Sequence, residues 1–137
     1  LQRMGDTFAD DYLVDTDRIS ITGLSGGANI PWGELPADNS RYAAFAPMAT
    51  TSTPANMANL CLLKKMPIWG FQGQNDGPSQ IEGAKTALDA CAPATEASAM
   101  QTTIVPGAGH SGATWDTAYA NPALYTWLLS KKRSDRP

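Results

Sequence analysis

The sequence has little histidine and cysteine and no long apolar run. Among 137 residues there are one histidine, His110, and two cysteines, Cys61 and Cys91. Three such side chains cannot supply the four ligands of a structural zinc site, so we predict neither a metal nor a cofactor. No segment approaches the roughly 20 apolar residues that cross a bilayer, which predicts no membrane span, and residues 1–6 do not resemble a signal peptide.

The chain also lacks a basic surface pattern. Ten Lys and Arg stand against 13 Asp and Glu, giving a net charge of −3, and no basic stripe suits a phosphate backbone. We therefore predict no nucleic-acid partner. A hydrophobic content of 42% with 17% charged residues is typical of a globular protein, and the length fits a single domain over residues 1–137.

Short apolar segments alternate with segments of helical periodicity. Helices are predicted over 1–13, 26–35, 79–91 and 113–132, with Pro31 distorting or delaying the second and Pro122 dividing the last. Strands are predicted at 18–22, 42–48, 67–72 and 100–105, and the stretch 50–59 is predicted as loop. This alternation predicts an α/β fold, a parallel sheet of about four strands flanked by helices.

Ser25 lies in Gly23-Leu24-Ser25-Gly26-Gly27, the pattern G-x-S-x-G, between a predicted strand and a predicted helix. In that context the pattern is typical of a nucleophilic serine on a strained turn, where small residues let the strand and helix backbones approach. Gly26 would then offer its N–H to a developing oxyanion. The alternative is that the glycines only mark a turn.

A nucleophilic serine needs a base, and the base needs a carboxylate that orients it. His110 is the sole histidine and lies in a glycine-rich loop after the last predicted strand, where the active sites of α/β sheets gather. Asp76 follows the third strand and fits the chain order Ser, Asp, His, so we prefer it to Asp116 as the acid. A turn aspartate before Gly77 is the alternative interpretation of Asp76.

Several segments carry a resemblance to a known superfamily. They are residues 14–19 leading into 23–27, then 41–47, 67–73 with Asp76, 107–110 and 124–129. On these segments the chain resembles the C-terminal half of secreted esterases of the α/β-hydrolase superfamily, of the dienelactone-hydrolase, phospholipase/carboxylesterase and polyhydroxybutyrate-depolymerase-like kind. The resemblance implies a serine carboxylesterase that forms an acyl-enzyme on a small-molecule or polymer ester. Leu24 and Trp115 are expected to contact the substrate, and Gln72 stands where these families often have histidine.

The same resemblance implies four further strands before this segment, with a loop that supplies the second oxyanion N–H. Without that donor we expect turnover to fall by ~10²–10³. The strand 18–22 would also become an open sheet edge, and such edges rarely stay uncovered. Either the chain belongs to a longer protein, or it is a minimal hydrolase that covers this edge by forming a homo-oligomer about a twofold axis.

Cys61 and Cys91 are either buried thiols or a disulfide. In the implied fold Cys61 precedes the third strand, and the helix ending at Cys91 returns to that same end of the sheet, so a bond is feasible. It would close a loop of about 30 residues, worth ~3 kcal/mol, and would favour a periplasmic or extracellular setting.

Two other functions stay open. A peptidase or acyltransferase would use the same triad, and a non-catalytic interaction module would retain it as a relic.

Three tryptophans and a methionine are candidates for pocket walls, although large apolar side chains are more often core. These four are Trp32, Trp69, Trp115 and Met48.

Overall fold

Strands and helices alternate along the chain. The computed structural model describes residue 7, residues 11–52 and residues 54–136. In order, the elements are β1 (Ser20–Leu24), α1 (Gly26–Glu34), β2 (Ala44–Met48), β3 (Ile68–Gly73), α2 (Ser79–Ala90), β4 (Met100–Val105), α3 (Gly112–Tyr119) and α4 (Pro122–Ser130). Short 3-10 turns at Pro54–Asn56 and Leu60–Leu63 join β2 to β3, and a third, Arg133–Asp135, follows α4. The helix predicted over 1–13 lies largely outside the described residues.

The four strands form one parallel sheet in the order β1-β2-β3-β4. Because all strands run the same way, their carboxyl ends meet at one edge of the sheet, where α/β proteins bind ligands. The predicted fold class, a parallel sheet of four strands flanked by helices, is therefore confirmed. Among the described strands β1 and β4 are the two edges.

The first strand begins two residues later than the sequence predicts, and the span 18–22 was wrong at both ends. β1 pairs with β2 from Ser20 opposite Ala44 to Leu24 opposite Met48. Arg18 is still part of the preceding turn, because its N–H donates to the carbonyl of Asp15 at 3.0 Å. The ladder instead continues through Gly23 to Leu24, which brings the strand directly up to Ser25.

Each face of the sheet carries its own apolar cluster. Helices α1 and α2 cover one face, and α3 and α4 cover the other, so the architecture has three layers. The first cluster comprises Trp32, Leu35, Phe45, Leu60, Leu63, Met66, Ile68, Ile81, Ala84, Leu88 and Met100. The second comprises Ala46, Met48, Phe71, Ala118 and Leu124.

The two prolines inside predicted helices behave differently. Pro31 neither delays nor interrupts α1, contrary to the prediction. It removes only the N–H that would bond the carbonyl of Gly27, and burial of Trp32 against Phe45, with ring centroids 5.2 Å apart, anchors the helix to the sheet. Pro122 does divide the last helix as predicted, because it starts α4, where its missing N–H costs nothing.

The end of the sheet opposite the carboxyl ends is tied by a disulfide. Cys61 and Cys91 are bonded, with their Cα atoms 5.5 Å apart. Nearby, the buried Lys64 donates to the carbonyl of Cys91, and hydrogen bonds from Lys85 and Ser98 hold the pKa of Asp89 well below its usual range. The disulfide is consistent with an extracellular or periplasmic setting. None of the helices in the described part of the chain is both long and apolar enough to cross a membrane.

Candidate active site

Ser25 occupies a strained turn between β1 and α1. Its backbone angles are φ 50° and ψ −123°, a left-handed conformation that side-chain-bearing residues rarely adopt. The turn is tight because Gly23 and Gly27 are in close approach: a Cβ placed on Gly23 would lie 2.3 Å from the Gly27 carbonyl oxygen. Only glycine at position 23 allows this approach. The Ser25 N–H donates to the Met48 carbonyl at 2.9 Å, which fixes the turn to β2.

Three side chains form a hydrogen-bonded line at the carboxyl ends of the strands. Ser25 Oγ lies 2.8 Å from His110 Nε2, and His110 Nδ1 lies 3.1 and 3.0 Å from the two carboxylate oxygens of Asp76. The Asp76 side chain is 13% exposed and that of His110 is 37% exposed. The carboxylate is thus mostly enclosed while the imidazole and the serine face solvent, as a reaction with an external substrate requires.

The loops that carry Asp76, the candidate acid, and His110, the candidate base, are hydrogen-bonded to each other. Asn75 donates its backbone N–H to the Ala108 carbonyl at 2.8 Å, and its side-chain amide donates to the Gly107 carbonyl at 3.1 Å. Gln74 Oε1 in turn accepts the Gly107 N–H at 2.8 Å. Gly107 has φ 68°, which suits glycine at this turn. These bonds fix the separation between Asp76 and His110.

The loop that carries His110, the candidate base, is held from α3 as well. Thr114 is fully buried, and its hydroxyl donates to the carbonyl of Gly109, directly before His110, at 2.7 Å. Asp116, the competing acid, instead extends beside Gly112 at the start of α3, where a Cβ on Gly112 would meet its carboxylate oxygen at 2.5 Å. Asp76 is the one of the two candidates that is hydrogen-bonded to His110.

Gly26 is the first residue of α1 and follows Ser25 directly. The N–H groups of a first helical turn have no partner within the helix and form the positive end of the helix dipole. The Gly26 N–H is therefore suited to bind a negative oxygen, whereas the Ser25 N–H is already used by Met48. In the described part of the chain no group of three or more His, Cys, Asp or Glu is arranged to hold a metal ion.

The apolar residues predicted near the site divide into two groups. Leu24 is 37% exposed beside Ser25, and Trp115 packs edge-to-face on the His110 ring with centroids 5.6 Å apart. Trp32 and Met48 are fully buried, so they do not line a pocket and belong to the core, the alternative that the sequence favoured. Trp69 also belongs to the packing, since it stacks on Phe71 at 5.1 Å under α4. Each is used as core because it points into the space between sheet and helices.

Two open depressions, each with a volume of about 390 Å³, lie away from this constellation. Both are lined by Lys65 and Arg136. One of them is also lined by Pro67 and Ala99, which precede β3 and β4, and the other by Met66, directly before Pro67. That is the amino-terminal end of the strands, opposite Ser25. We therefore do not assign them to the candidate site.

The polar residues that support the Ser25–His110–Asp76 arrangement were not identified from the sequence. From the sequence, Gln72 is notable only because the resembling families often have histidine at this position, yet its amide is hydrogen-bonded to Asp76. Asn29, one turn after Ser25, binds the loop that follows β2 through Thr50 and Thr51. The signal available for Gln72 was a polar residue at the end of an otherwise apolar strand, which is unusual without a partner.

Comparisons with known proteins agree with the fold. No protein-family model matches the chain, and no curated protein sequence matches it. One similar solved structure is a thermostable esterase, with a TM-score of 0.75 and 21% sequence identity. The match covers 95% of this chain and 35% of that chain, so the present chain spans about a third of the esterase. The chain therefore has an α/β fold similar to that of this esterase, and the resemblance stated from the sequence is confirmed at the level of the fold.

Proposed function

We propose that the chain carries the catalytic core of a serine carboxylesterase. The observation that supports this most is the continuous hydrogen bonding from Ser25 Oγ through His110 to the Asp76 carboxylate, with Ser25 on a strained turn at the start of a helix. A hydroxyl, an imidazole and a carboxylate in this order are the groups that acyl transfer to water needs. The esterase fold of the structural neighbour supports the same reaction class.

The proposed reaction follows from the different partners of the two imidazole nitrogens. In the neutral ring Nδ1–H donates to Asp76, which leaves the Nε2 lone pair to accept the Ser25 proton as Oγ attacks the ester carbonyl. The imidazolium then protonates the leaving alcohol, and Asp76 stabilises its positive charge. Water attacks the acyl-enzyme in a second round with the same proton transfers, which releases the carboxylic acid and restores Ser25.

The oxyanion is held by the Gly26 N–H at the α1 N-terminus in this proposal. Removal of one oxyanion donor typically lowers turnover by ~10²–10³. With Gly26 as the donor supplied by this chain, we expect slow but serine-dependent hydrolysis. Leu24 and Trp115 would contact the acyl or alcohol part, since both lie at the site with exposed or half-buried apolar surface.

A panel of chromogenic esters with matched amides tests the proposal. We expect hydrolysis of short-chain esters that is lost in Ser25→Ala and in His110→Ala, whereas Asp116→Asn keeps the wild-type rate and serves as the control for the acid. Hydrolysis of amides at a rate similar to esters would indicate a peptidase instead. Transfer of the acyl group to an added alcohol in preference to water would indicate an acyltransferase, and no turnover of either class would indicate a non-catalytic module.

A further inference from the structure

Gln72 is a buried polar residue that the proposed mechanism does not use. It lies near the end of β3 and is fully buried. Its side-chain nitrogen Nε2 is 2.6 Å from the Asp76 backbone carbonyl oxygen, 3.0 Å from Asp76 Oδ2 and 3.3 Å from the Thr50 carbonyl oxygen. Three acceptors surround this nitrogen, which fixes the orientation of the amide because an amide oxygen there would face only other oxygens.

The other end of the same amide has an unfavourable environment. Gln72 Oε1 is buried and has no hydrogen-bond partner among the described residues. A buried acceptor without a donor destabilises a fold, and an apolar side chain of the same length would avoid that cost. What glutamine provides here, and an apolar residue would not, is the pair of N–H donors directed at Asp76 and Thr50.

The hydrogen bond that the Gln72 amide donates to Asp76 restricts the rotation of the carboxylate. Both oxygens of Asp76 lie within 3.1 Å of His110 Nδ1, so the histidine alone does not select one rotation of the carboxylate. The bond from Gln72 to Oδ2 does select one, because it approaches from β3 rather than from the histidine loop. A hydrogen bond to an ionised oxygen is also stronger than one between neutral groups.

The same amide joins the acid to the helix that carries the nucleophile. Thr50, whose carbonyl accepts from Gln72, donates its hydroxyl to Asn29 Oδ1 at 2.9 Å. Asn29 lies in α1 one turn after Ser25, and its oxygen also accepts the Thr51 N–H at 3.1 Å. A second set of hydrogen bonds therefore links α1 to Asp76 without passing through the imidazole.

We propose that Gln72 is a positioning residue that holds the Asp76 carboxylate in the rotation that orients His110. The inference rests on the proposed function, because it assigns Gln72 a role in the same triad. Gln72 does not reach the substrate. It acts through Asp76, so its loss should change the chemical step and leave substrate binding unchanged.

Gln72→Met removes the donors at nearly constant length, and Gln101→Met, an exposed glutamine on β4, is the matched control. We expect Gln72→Met to lower kcat by roughly 10- to 100-fold, the range of one charge-assisted hydrogen bond, with KM within about twofold of wild type. Gln101→Met should leave both unchanged. A raised KM at wild-type kcat would instead mean that Gln72 shapes the substrate site, and would overturn the inference.

Gln72→Glu gives an independent readout through pH. A carboxyl placed beside the Asp76 carboxylate keeps its proton to higher pH, and in that form it donates one hydrogen bond as glutamine does. The ratio of variant to wild-type kcat should therefore fall as pH rises. The other charged or ionisable groups nearby are common to both proteins: His110, which contacts Asp76, and Glu82, Lys85 and Asp116 on the neighbouring helices. A ratio that is constant with pH would contradict the proposed donation.

A proton NMR measurement separates this inference from the proposed function. The His110 Nδ1 proton in the wild-type protein should give a strongly deshielded resonance, because it lies between nitrogen and carboxylate. In Gln72→Met we expect it to broaden or shift, and in Gln101→Met to remain. An unchanged resonance and unchanged kcat in Gln72→Met would refute the role of Gln72 while the esterase assignment stood. An inactive wild-type protein would refute the esterase assignment, and the resonance would still test Gln72.

Discussion

Replacement of Gly23 by alanine tests the geometry of the nucleophile turn. The added Cβ would lie 2.3 Å from the carbonyl oxygen and 2.6 Å from the carbonyl carbon of Gly27. Both are backbone atoms of α1, so no side-chain rotation relieves the contact. To reach even 3.0 Å, the strand and the helix must separate by about 0.7 Å.

Two consequences follow for Gly23→Ala. Overpacking of this kind costs about 1–3 kcal/mol of stability. Ser25 lies between the two backbone segments, and a displacement approaching 1 Å at a catalytic group can lower turnover by ~10². We therefore expect a folded but destabilised protein whose ester hydrolysis falls about 100-fold.

Gly33→Ala is the control, because a Cβ on Gly33 meets nothing within 4 Å and the residue lies in the same helix. It should raise stability by up to about 1 kcal/mol through helix propensity and leave hydrolysis unchanged. Urea unfolding and initial rates with a chromogenic ester measure both effects. Equal stability and equal rates for Gly23→Ala and wild type would refute the close approach of β1 and α1.

Three further predictions concern residues around the site and at the opposite end of the sheet. Replacement of Cys61 and Cys91 by serine opens a loop with a sequence separation of 30 and should cost about 3–4 kcal/mol, seen as a lower midpoint in urea; an unchanged midpoint would argue against the bond in solution. Hydrogen bonds lower the pKa of Asp89, so the stability that it contributes is fully present above the usual carboxyl pKa and declines progressively as pH falls below it; Asp89→Asn should therefore destabilise the protein most at pH 7 and progressively less below about pH 4, and a loss that is constant with pH would contradict this. Thr114→Val leaves the Gly109 carbonyl without its donor and should cost about 1–3 kcal/mol in urea unfolding with slower ester hydrolysis; an unchanged midpoint and rate would show that this hydrogen bond does not hold the loop before His110.

The elements were predictable because each has a local cause. The strand 100–105 was placed at its observed bounds, since Pro106 and Gly107 end the β-branched run. The first strand was misplaced because the sequence does not show that Arg18 remains in the turn with Asp15. Helix α1 stays regular through Pro31 because Trp32 is buried between helix and sheet. That packing is a tertiary effect, which helix propensities of single residues do not include.

The proximity of Ser25, Asp76 and His110 was predictable for a different reason. One histidine, one G-x-S-x-G pattern and the chain order left few combinations, and parallel strands bring their carboxyl ends together. The supporting hydrogen bonds were not predictable, because contacts such as Gln72 to Asp76 and Asn75 to Gly107 depend on side-chain directions set by the packed loops. A buried amide becomes recognisable as a partner only when the groups around it are known.

The exposed edge of β1 makes the oligomeric state of the protein a further quantity to measure. The homo-oligomer predicted from the sequence would cover this edge, and light scattering on the purified protein would show a mass above that of one chain. A monomer at all concentrations would contradict that prediction without affecting the triad. The matched region is 35% of the similar esterase chain. If the present chain belongs to a longer protein, further residues of that protein would cover the edge instead of a second copy.

We propose that His110 and Asp76 make Ser25 nucleophilic. Incubation of the protein with a fluorophosphonate, followed by intact mass and peptide mapping, is the decisive test. We expect one adduct per chain located on Ser25, abolished in Ser25→Ala and strongly slowed in His110→Ala. An adduct on another serine, or equal labelling of Ser25 after removal of His110, would contradict it.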